Sequence, residues 1–136
     1  NALSKELLGD AWVNADDNGK YMADNKAKFD ELVGLDEQNE KAMNEAAGKF
    51  DQATKLKVDD KFKEYLGLKS QEFKKLSEKY KAEYSFVKSL AAEKDNDKAG
   101  KMAEEYSKKS ADIMKEAADI TAKVEKIMKD NPTIFK

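Results

Sequence analysis

Residues 14 to 19 read Asn14-Ala15-Asp16-Asp17-Asn18-Gly19, the one run in the chain whose spacing approaches a known ligand-binding loop. Asn14, Asp16 and Asn18 place oxygen-bearing side chains at the first, third and fifth positions of an EF-hand calcium loop, and Gly19 stands at the sixth, where such a loop turns sharply. The second half departs from the pattern. Its eighth position is Tyr21, and its twelfth, where a bidentate glutamate completes the calcium shell, is Asn25. Without that glutamate the loop carries little negative charge, so Asn14, Asp16 and Asn18 are a weak calcium candidate, and an Asx-rich turn is the favoured reading. Asp95-Asn96-Asp97-Lys98-Ala99-Gly100 repeats the rhythm more poorly, with Ala99 at the fifth position and Tyr106 at the twelfth.

Other chemistries are limited by what the chain lacks. It has no Cys, no His and no Arg, and all 26 of its basic residues are Lys. Zinc fingers, Ser-His-Asp triads, Cys-His nucleophiles, iron-sulfur sites and histidine-ligated haem all need one of the missing groups. So do the di-iron bundle enzymes, whose Glu-x-x-His pairs require imidazole. Carboxylates number 28, but no pair stands out as the raised-pKa acid and partner of a glycosidase. The expectation is therefore a protein with no enzyme activity, no metal and no cofactor. A net charge of −2 with no basic block argues against nucleic acid as a partner.

Two apolar clusters escape the main helical stripes and are candidate partner-facing residues. One centres on Trp12, the only tryptophan, a residue type enriched at binding hot spots. The other is Ile134 with Phe135, in the tail that leaves the last helix at Pro132. Both could instead fold inward and close the end of a bundle. Tyr65, Phe73, Tyr80, Tyr84 and Phe86 could line a pocket for an apolar ligand, although aromatic residues at helical spacing usually form core.

The elements that must position these residues are helices. Ala103, Tyr106, Ser110, Ile113, Ala117, Ile120, Val124 and Ile127 alternate steps of three and four, the seam of a coiled-coil-like bundle. Phe62, Leu66, Phe73, Leu76, Tyr80, Tyr84, Val87 and Leu90 mark the preceding helix, with Lys69 where an apolar residue belongs. The spacing predicts helices over 3–33, broken near 16–19, then 36–57, 59–93 and 97–129, with a tail at 130–136. Gly34 reads as a helix end and Asp36 as the next N-cap. Acids stand four residues before lysines in several places, among them Glu37 with Lys41 and Asp51 with Lys55.

These readings combine into one all-α domain over 1–136, an elongated antiparallel bundle of three to four long helices with a four-helix up-down order favoured. The function expected of it is a non-enzymatic interaction or structural module with a protein partner. A carrier of an apolar small molecule or lipid is the alternative, and a calcium binder or carboxylate-only enzyme the third. No stretch is long and apolar enough to span a membrane. A start at Asn1 and a cysteine-free body favour an extracytoplasmic protein, with membrane tethering through a removed N-terminal lipid anchor as one form of it.

Overall fold

A computed structural model describes residues 2–136. Among these residues every regular element is an α-helix: α1 (Ala2–Leu8), α2 (Asp10–Val13), α3 (Asn18–Asp24), α4 (Lys26–Ala53), α5 (Asp60–Ala92) and α6 (Asn96–Asp130). No helix among the described residues is long and apolar enough to cross a membrane. The chain groups into two compact units, each of which takes one stretch from each of the three long helices. The first unit comprises the residues up to Gln38 with Tyr80–Ser110, and the second comprises Asn39–Lys79 with Ala111–Lys136.

Helix ends follow local chemistry. The first backbone N–H groups of a helix have no partner within it, and an Asp placed just ahead supplies one. The Asp17 carboxylate accepts from Lys20 N at 2.9 Å, Asp59 from Lys61 N at 2.7 Å and Asp95 from Lys98 N at 3.1 Å. At the far end of α6, Asn131 Nδ2 donates to Ile127 O at 2.8 Å, one residue before Pro132 ends the helix.

The expected boundary between residues 33 and 36 is absent, because α4 runs unbroken from Lys26 to Ala53. Gly34 has no positive φ and so does not end a helix, and Asp36 lies wholly buried in mid-helix rather than capping one. A glycine costs a helix about 1 kcal/mol. The burial of Phe29 and Leu32 on the same segment outweighs that cost. The N-terminal region is more broken than the sequence suggests, with interruptions at Gly9, at 14–17 and at Asn25. Gly9 is required at the first of these, since a Cβ there would stand 2.4 Å from the Lys5 carbonyl oxygen.

The first unit holds a core of Leu7, Met22, Phe29, Leu32, Phe86, Val87, Leu90 and Ala99, drawn from α1, α3, α4, α5 and α6. In the second unit, the α6 seam residues Ile113, Ala117, Ile120, Val124 and Ile127 are buried with Leu66 and Ala47. Phe50 stacks on Phe73 with ring centroids 5.4 Å apart. Several charges choose partners across helices rather than along them. Asp51 pairs with Lys74 at 2.9 Å, and Glu37 pairs with Lys88. These pairs are exposed and contribute about 1 kcal/mol at most.

Candidate functional site

The most developed surface feature of the first unit surrounds two stacked rings. Phe86 on α5 and Tyr106 on α6 lie parallel, within 1°, with centroids 4.5 Å apart. The pair borders two grooves. The larger, about 450 Å³, is lined by Leu8, Trp12 and Val13 as well as Ala103 and Ser107, and the smaller, about 250 Å³, by Ala82, Met102 and Lys109 among others. Val13, at the lip of the larger groove, is 70 % exposed, whereas Trp12 is half-buried against the core.

Trp12 is hydrogen-bonded to the core. Its Nε1 donates to Asn18 Oδ1 at 2.9 Å, and Asn18 is itself buried. Asn18 Nδ2 in turn donates to Leu90 O at 3.2 Å and Glu93 O at 2.7 Å, at the end of α5. Asn18 N donates to Asn96 Oδ1 at 2.9 Å, and Asn96 Nδ2 returns a bond to Asp16 O at 2.8 Å. A buried amide must satisfy its donors and acceptor or lose their hydration without return. Asn18 does so across partners more than seventy residues away, and thereby fastens the N-terminal helices to the turn between α5 and α6.

This network decides what the Asx run does. Asn18 spends its side-chain oxygen on the Trp12 indole, Asn14 Nδ2 donates to Asp10 O at 2.7 Å, Asp17 caps α3, and Asp16 is exposed. Asn14 and Asn18 are thus engaged in turn and network contacts, and among the described residues no group of three or more Asp or Glu is placed to hold a metal ion. The other partner-facing candidates lie in the second unit. Phe135 packs its ring 5.0 Å from Tyr65 and 5.8 Å from Phe62, and Ile134 is half-buried. Phe135 thus packs onto its own unit.

Close to Tyr106 lie two buried carboxylates. Asp36 from α4 and Glu83 from α5 are both buried, and Tyr106 from α6 stands beside them. Burial pushes the Tyr106 hydroxyl up to about 12, the Glu83 charge adds to the rise, and a hydrogen bond with Ser110 opposes it. At neutral pH the phenol is therefore a protonated donor and no proton-transfer base. The available signal was a carboxylate on the seam, since Glu83 lies seven residues from both Leu76 and Leu90, and Asp36 four residues after Leu32.

The arrangement offers aromatic and aliphatic walls with a polar rim. No protein-family profile matches the chain, and no curated protein or solved structure matches it.

Proposed function

We propose that the protein is a non-enzymatic helical-bundle interaction module whose first unit receives an apolar side chain of a protein partner in the groove beside Trp12. The observation that carries this reading is the preset contrast within that groove. Val13 is left 70 % exposed next to a Trp12 that the buried Asn18 locks in place. A large aromatic wall that is already ordered loses little entropy on binding, which is the property of an interface anchor. A four-helix up-down arrangement belongs to the same proposal, with α1 to α3 in the place of the fourth helix. Its support is the order of contacts: Glu37 with Lys88 and Asp51 with Lys74 descend α5 as they ascend α4, and Glu116 with Lys75 and Thr121 with Glu72 do the same for α6.

The larger groove also suits a second reading, the carriage of an apolar small molecule, because its volume of about 450 Å³ falls within the range of small-molecule sites. Trp12 fluorescence separates the two. The interaction reading expects Trp12 to be quenched by iodide in the free protein and protected when a native extract is added, with Val13→Asp abolishing protection while shifting stability by less than about 0.5 kcal/mol. Protection by a fatty acid or small aromatic compound alone favours the carrier. A Trp12 that iodide never reaches defeats both.

A further inference from the structure

An α-helix shorter than about 12 residues is marginal in water on its own and relies on what it packs against. The three helices at the start of the chain fall in that range, with 7, 4 and 7 residues, whereas α4, α5 and α6 run to 28, 33 and 35. They are tied to one another. The Tyr21 hydroxyl on α3 donates to Leu7 O on α1 at 3.0 Å, and the Trp12 indole on α2 donates to Asn18 Oδ1 on α3 at 2.9 Å. Their hold on the rest of the first unit is narrower. Leu7 and Met22 are the buried apolar side chains that they contribute to the core, and the polar ties gather at Asn18, through Leu90 O, Glu93 O and Asn96. The ion pair of Glu6 with Lys28 is exposed. Between α3 and α4 stands one residue, Asn25. Its Nδ2 donates to Tyr21 O at 3.0 Å while its carbonyl accepts from Lys28 N and Phe29 N, so it closes one helix and starts the next.

We infer that α1 to α3 form a strap that opens as one body about Asn25 while the first-unit stretches of α4, α5 and α6 stay folded. Proteins open locally in cooperative units of this kind, and the units that open most readily are those with few buried apolar contacts. The strap fits that description. The ties it breaks at Asn18 are amide hydrogen bonds, which water replaces once the side chain leaves, so their net cost is small. The long helices keep contacts of their own, with Phe86 stacked on Tyr106 and Glu37 paired with Lys88. A hinge needs only a residue or two at an element end to absorb the backbone change, and Asn25 occupies such an end. Opening also parts the groove beside Trp12. Leu8, Trp12 and Val13 move with the strap, while Phe86, Ala103, Tyr106 and Ser107 remain on α5 and α6. An occupant of that groove would therefore hold the strap shut by mass action. This consequence rests on the binding role proposed for the groove; the opening needs no occupant.

Amide hydrogen exchange of the full chain, followed by residue at rising sub-denaturing guanidinium chloride, reads the opening directly. Amides within α1 to α3 should share one opening constant, about 100-fold or more above that of the slowest amides in α5. Their dependence on denaturant should also be shallower, because strap opening exposes less surface than global unfolding. Ile120→Ala, in the second unit, weakens the closed and open forms alike. It should speed the slowest amides of α4 to α6 about 30-fold and leave those of α1 to α3 unchanged. Asn18→Ala should speed the α1 to α3 amides about 100-fold. Acceleration of α1 to α3 by Ile120→Ala in step with the rest overturns the inference, since those amides then exchange only when the whole chain unfolds. Unequal opening constants for α1 and α3 overturn it as well, by showing helices that fray singly. Should Ile120→Ala not fold, the unsubstituted chain decides: equal denaturant slopes for α1 to α3 and for α5 overturn the strap, and a shallower common slope supports it.

Discussion

Leu32 and Leu90 in the first unit lose all contact with solvent, whereas the α6 seam of the second, from Ile113 to Ile127, keeps 6 to 9 % of its surface accessible at each buried position. The same three helices supply both units. What differs is the cover. The first unit has α1 to α3, fastened by Asn18; the second has its tail, with Phe135 against Phe62 and Tyr65. The burial of a given position thus depends on what lies over a face and not on the face alone.

The sharpest way to break that comparison is truncation of the two cores. Leu32→Ala should cost about 4 kcal/mol and Ile120→Ala about 2 kcal/mol in denaturant titrations, since the cost grows with the cavity left in a closed surround. Equal losses would mean that the second core is as closed as the first. Next in size is Asn18→Ala, expected to cost about 3 kcal/mol because it strands the Trp12 indole and two carbonyls at the end of α5. Trp12 emission should change in the same variant, and an unchanged spectrum would show that the clasp does not hold the ring.

Two glycines extend the contrast to the backbone. Gly9→Ala should destabilise by about 2 kcal/mol, because its Cβ meets the Lys5 carbonyl in the first unit. Gly48→Ala, in the middle of α4 in the second unit, meets nothing within 4 Å and should stabilise by about 0.5 to 1 kcal/mol. Thermal melts of the two variants should therefore move in opposite directions.

The smallest effects come from pH, and they fall on opposite sides of neutrality. Burial alone would raise the Glu72 carboxyl, but Lys69 and the Thr121 hydroxyl outweigh it and hold the group below its ordinary 4.5. A carboxylate lowered by folding contributes stability that is present above 4.5 and is lost as pH falls through its folded value. Thr121→Val should shrink that acid loss. Tyr106 in the first unit is raised, so its contribution is present below 10 and is lost as pH climbs toward 12. Melting temperature against pH, with tyrosinate absorbance followed on the alkaline side, should show acid weakening through Glu72 and alkaline weakening through Tyr106.

The α6 seam was readable in the sequence because steps of three and four continue through Ala103 to Ile127, and Ile113, Ile120 and Ile127 are buried as that spacing requires. The unbroken α4 was not. Gly34 and Asp36 imitate a helix end followed by a cap, and only the burial of Phe29, Leu32 and Asp36 along an unbroken α4 shows that the signal is overridden. Similarly, Asn14 to Gly19 was legible as a turn, but no local pattern reveals that Asn18 reaches Leu90 and Glu93. The candidate groove was half visible: Trp12 was conspicuous as the only tryptophan, while its neighbours Phe86 and Tyr106 looked like ordinary members of two separate helices.

The sequence by itself determined the all-helical class and the register of the α6 core, because each of these depends on interactions within a few residues along one helix. Tertiary structure alone decided that Asp36 and Glu83 are buried while Met114 and Met128 are exposed. Spacing marks which residues share a face, but whether that face meets water is set by segments remote in the chain, as α1 to α3 are from α5 and α6.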